Sequence, residues 1–138
     1  MLLSISTRLL ATFLHRKYTD LAAMLCVMRA LAGEGVVDGF ELELIAEWNA
    51  QFEPYDKDTR YNRKYEWERS RKHEVSRIVD LVRSEDLRIL SVHANRDIGV
   101  LLCSGDPELV ERGRLLMSRA IALAEGVGAP LCVVHLWD

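Results

Sequence analysis

The chain has 138 residues, 49% hydrophobic and 28% charged, with 21 acidic side chains against 18 basic ones and a net charge of −3. That fits one globular domain spanning residues 1–138 and excludes attraction to nucleic acid or an anionic membrane through overall charge. No stretch reaches the ~18 consecutive apolar residues of a membrane span, and three cysteines without CxxC spacing argue against a disulfide framework, so a reducing, cytoplasmic setting is expected.

Leu2–Thr7 is short and largely apolar and predicts a first strand. A basic connection runs from His15 to Tyr18, after which Thr19 or Asp20 can cap a helix. Leu21, Met24, Leu25, Met28, Leu31 and Ala32 fall on one face of that helix, and Gly33 and Gly35 end it. Val36–Ile45 reads as a second strand, because Phe40, Leu42 and Leu44 alternate with Glu41 and Glu43. The stretch 46–61 reads as a long loop carrying Trp48 and Asn49.

Residues 61–83 are charged but periodic towards their end, where Val75, Ile78, Val79 and Val82 form an apolar stripe. Arg88–Ala94 is a third strand, in which strict alternation puts His93 on one face with Ile89 and Ser91. After a loop, Asp106-Pro107-Glu108 is a strong helix start: a capping carboxylate, a proline at the first position and an acid at the positive dipole end. Val110, Gly113, Met117, Ala120, Ile121 and Ala124 predict its buried face, Gly126 and Gly128 its end, and Pro130 opens a fourth strand. Four strands alternating with three helices imply an α/β fold with a parallel sheet.

Several of these runs, taken in order, resemble the xylose-isomerase-like TIM-barrel superfamily. They are Val37-Asp38-Gly39-Phe40-Glu41-Leu42-Glu43-Leu44, Val92-His93-Ala94-Asn95-Arg96-Asp97-Ile98-Gly99, Ser104-Gly105-Asp106, Gly128-Ala129-Pro130 and Val134-His135. That group holds sugar (phosphate) isomerases and epimerases and endonuclease IV. The resemblance implies a (β/α)8 barrel of about 250 residues with its site at the C-terminal strand ends. This chain would supply the first four strands, a half-barrel. The complete site would hold a divalent ion (Mn, Mg, Co or Zn) and act on a carbohydrate by metal-assisted proton transfer next to a carbonyl. In endonuclease-like members, histidines at the positions of His93 and His135 bind zinc. The later strands that carry the isomerases' carboxylate ligands are absent here, so this chain alone is expected to be inactive and to bind no metal fully. It is expected to be either a sequence fragment or a half-barrel that self-associates through open sheet edges.

His93 and His135 end neighbouring parallel strands and could share an ion or a sugar ligand; the alternative is a hydrogen-bonded pair with a structural role. Glu43 could bind substrate or form a buried ion pair with Arg8. Glu41 has the same strand parity but lies deeper, which suggests a structural place. Arg8 and His15 stand near the first strand's mouth, where an anionic substrate would be met, unless they are ordinary loop residues. Trp48 could stack on a sugar or simply cover the core. Asn95 and Asp97 could orient His93 or cap the loop. Basic residues between Arg60 and Lys72 are interspersed with Glu66 and Glu68, which favours a solvated helix face over a DNA surface.

Overall fold

A computed structural model describes residues 2–13, 21–43, 75–95 and 97–136. The elements in order are β1 (Ser4–Ser6), α1 (Thr7–Phe13), α2 (Leu21–Gly33), β2 (Gly39–Glu43), α3 (Val75–Ser84), β3 (Ile89–His93), α4 (Asp97–Leu102), α5 (Pro107–Val127) and β4 (Leu131–Val133). The architecture is mixed α/β, with a four-stranded sheet ordered β1-β2-β3-β4 in which every neighbouring pair is parallel. Trp48, His15 and the basic cluster lie outside the described residues.

The helix boundaries follow local chemistry. α2 and α5 stop in the same way. Gly35 and Gly128 take left-handed φ of 66° and 71°. Val36 N then donates to Leu31 O and Gly35 N to Ala32 O, while Ala129 N donates to Ala124 O and Gly128 N to Glu125 O. Both are Schellman stops, where glycine carries no Cβ penalty. α3 ends instead at Asp86, a residue that tolerates its φ of 50°. At the start of α5, Asp106 Oδ1 accepts from Glu108 N at 2.9 Å, as the Asp106-Pro107 signal predicts.

Two helices go beyond the three expected. α1 follows β1 without a loop, because Leu10 turns into the core and Ser6 Oγ accepts from Arg8 N. α4 occupies what the sequence suggests is a loop after β3. Its Ile98 is fully buried with Ala94, Leu116 and Ala120.

The main core joins Leu10, Met24, Leu25, Met28, Ile78, Val82, Leu123 and Ala124 from helices to Phe40, Leu42, Ile89 and Val92 from strands. The helices therefore cover one face of the sheet. α5 buries Gly113, Leu116, Ala120, Leu123 and Ala124, a stripe rotated from the expected one, and Ile121 is exposed. Close approaches set that rotation. A Cβ on Gly113 would lie 3.0 Å from Leu101 Cβ of α4, and one on Gly126 would lie 2.4 Å from Val79 Cγ2 of α3.

Strict alternation also fails in β3. Phe40 pairs with Ile89 but Glu41 pairs with Ser91, so the register shifts between them. Ile89 and Val92 consequently both join the core, and Ile89 parts from the face of Ser91 and His93. A bulge of this kind re-aims the side chains that follow it.

Phe40 is 1% exposed. Phe40→Ala should lower unfolding free energy by about 3–5 kcal/mol, whereas Ile121→Ala should change it by less than about 0.5 kcal/mol, as read from denaturant midpoints.

Candidate functional site

The opposite face of the sheet carries a line of polar side chains. Glu41 and Ser91 are register partners, and so are Glu43 and His93. Ser91 Oγ donates to Glu41 Oε2 at 3.1 Å, and Glu41 Oε1 lies 3.4 Å from His93 Nδ1. His93 Nε2 lies 2.7 Å from His135 Nε2. The two ring centroids are 4.8 Å apart with planes 20° from parallel. So wide a centroid separation at so short an N–N distance means the rings meet end to end through their Nε2 corners, rather than face to face. One proton can sit between them, because two protonated Nε2 atoms cannot approach so closely.

Local structure explains the meeting. His93 is the last residue of β3, and β4 pairs with it as far as Val133. Ala94 N then donates to Val133 O at 2.9 Å, so the strands stay joined beyond the regular ladder. From the other side α4 presses on the backbone that carries His135. A Cβ on Gly99 would lie 2.4 Å from His135 O and 2.3 Å from the Leu136 carbonyl carbon. Only glycine permits that approach.

The predicted residues divide. The structure brings His93 and His135 together. Glu43 is buried and forms an ion pair with half-exposed Arg8 at 3.3 Å, which is the pairing alternative raised for it. Thr7 Oγ1, also buried, accepts from Glu43 N at 3.0 Å. Asn95 is buried just past β3, its carbonyl accepting from Ile98 N. Among the described residues no hydrogen bond joins Asn95 to His93. The carboxylate that His93 meets is Glu41, which sequence reasoning set aside as structural. Asp97 opens α4, and its side chain lies outside the described residues, as do Trp48 and His15.

As a cation site the pair offers two imidazole nitrogens, but their 2.7 Å separation is shorter than two nitrogens keep around one tetrahedral ion at Zn–N distances of about 2.0–2.1 Å, so the rings would have to part to admit one. No cluster of three His, Cys, Asp or Glu suited to a metal occurs among the described residues. The residues thus fit two positions of a site whose remaining ligands would come from elsewhere. No helix among the described residues is long and apolar enough to cross a membrane. All three cysteines are free, and partial burial pushes the Cys132 thiol above its ordinary pKa. No protein-family model matches the chain, and no curated protein matches it.

Gly99→Ala should drive His135 away from His93. The ring signals of both histidines should move in NMR spectra and the melting temperature should fall. Gly105→Ala is the control, since a Cβ there meets nothing within 4 Å, and it should leave both rings where they are.

Proposed function

We propose that the chain forms strands one to four of a xylose-isomerase-like barrel and that the His93–His135 pair belongs to a sugar isomerase or epimerase site. The observation that carries the functional reading is the pair itself. Two histidines 42 residues apart in sequence meet at 2.7 Å, at the strand ends where parallel α/β folds do their chemistry. The barrel reading is supported by the strand order. Parallel strands each beside their predecessor, with helices on one face, resemble the wall of a barrel, whereas a doubly wound sheet places its first strand inside. The carbohydrate class rests on the motif resemblance.

A divalent ion bound there would supply Lewis-acid polarisation of a substrate carbonyl, easing proton removal from the adjacent carbon. His93 and His135 would supply two nitrogens to hold it once their rings part. Glu41 accepts from His93 and keeps the ring in place. Arg8, half exposed and paired with Glu43, stands at the β1 end, where an anionic group on the sugar would be met.

Calorimetric titration of the chain with zinc and manganese tests this reading. Weak cation binding that His93→Ala and His135→Ala each abolish supports it; the absence of any cation binding would overturn it.

A second reading, self-association without catalysis, is supported by β4. Leu131 is 62% exposed and Val133 is exposed beside it, and β4 pairs on one side only among the described residues. Exposed apolar strand edges invite pairing with another chain. Sedimentation equilibrium decides: a dimer that Leu131→Lys disperses supports this reading, and a monomer at every concentration ends it.

A further inference from the structure

The deeper place of Glu41 on its strand suggests a structural role; its contacts assign it more. We infer that Glu41 is the positioning residue of the pair. It holds His93 as the Nδ1–H tautomer, so that His93 Nε2 presents its lone pair to His135 and, were the rings to part, to a cation. The inference rests on the cation site proposed above and deepens it.

An ionised carboxylate only accepts hydrogen bonds. The His93 atom facing Glu41 is Nδ1, at 3.4 Å, so the proton of neutral His93 belongs on Nδ1. Glu41 is itself fixed, because its Oε2 accepts from Ser91 Oγ. That leaves Oε1 for the imidazole. A neutral imidazole has one N–H, so Nε2 of His93 is bare. His135 Nε2, 2.7 Å away, must then be the donor, with its own Nδ1 unprotonated.

The consequence for a cation is specific. Once released by His135, His93 can ligate without any proton shift of its own. His135 must first give up its Nε2 proton, which passes through solvent to its own Nδ1, with no net release. The two histidines thus have unequal roles, and the difference originates in Glu41. Carboxylates that fix the tautomer of a ligating histidine typically contribute 10–100-fold in metal affinity.

Long-range proton–nitrogen NMR on the metal-free full chain, well above the ordinary histidine pKa of about 6.5, reads the tautomers directly. His93 should show a protonated Nδ1 and a bare Nε2. Glu41→Ala should shift His93 towards the Nε2–H form and weaken zinc binding by about 10–100-fold. Glu41→Gln keeps an acceptor oxygen and should retain most of the wild-type tautomer. An Nε2–H tautomer in the wild type overturns the inference even if the alanine variant does not fold. So does a folded alanine variant with unchanged tautomer and zinc affinity. A wild-type Nδ1–H tautomer without any zinc binding supports Glu41 as the positioning residue and retires the cation site instead.

Discussion

Confinement of the apolar core to one face of the sheet is the constraint on which the molecule depends. Phe40, Leu42, Ile89 and Val92 enter a single core with residues from α1, α2, α3 and α5. Each such buried side chain contributes about 1.5–3 kcal/mol, against about 0.5–1.5 kcal/mol for a net hydrogen bond. The apolar face therefore decides how the strands sit, and the polar residues go where it leaves them. That is why Glu41, Glu43, Ser91 and His93 share the opposite face, and why the chemistry of the chain is gathered at one place.

The register shift in β3 turns this constraint into a site. Without it Ser91 and His93 would continue the face of Ile89, which lies in the core. With it, Glu41 stands across from Ser91 and reaches His93. Glu43, one pair further along, turns to Arg8 instead. The strand ends thus carry two separate polar units, one built on imidazole and one on an arginine–carboxylate pair. α5 ties the helical layer to the first unit. It packs on α4 at Gly113, and α4 in turn bears on the His135 backbone at Gly99. Changes in helix packing can therefore reach the pair without touching either histidine.

Much of this was legible in the sequence. The alternation in β2, the methionine and leucine stripe of α2, the glycine stops and the Asp106-Pro107 start are local signals, and each sits where such signals put it. The two histidines could be named because strand ends are recognisable. What was not legible is non-local. α1 and α4 are short, and their burial comes from tertiary contacts with Leu10 and Ile98 rather than from a long periodic stripe. The bulge has no marker inside Ile89–His93, so alternation puts Ile89 on the wrong face, and nothing local shows that Glu41 meets His93. Gly99 looks like any loop glycine until the backbone of His135 and Leu136 is seen against it.

The central claim is that His93 and His135 form one unit through a shared Nε2 proton. A scalar coupling between their Nε2 nitrogens, measured across the hydrogen bond on nitrogen-15-labelled protein, tests it most directly. The account predicts a resolved coupling linking those two atoms and no other histidine nitrogens. Two independent rings, each exchanging its protons with water and showing no mutual coupling, would contradict it.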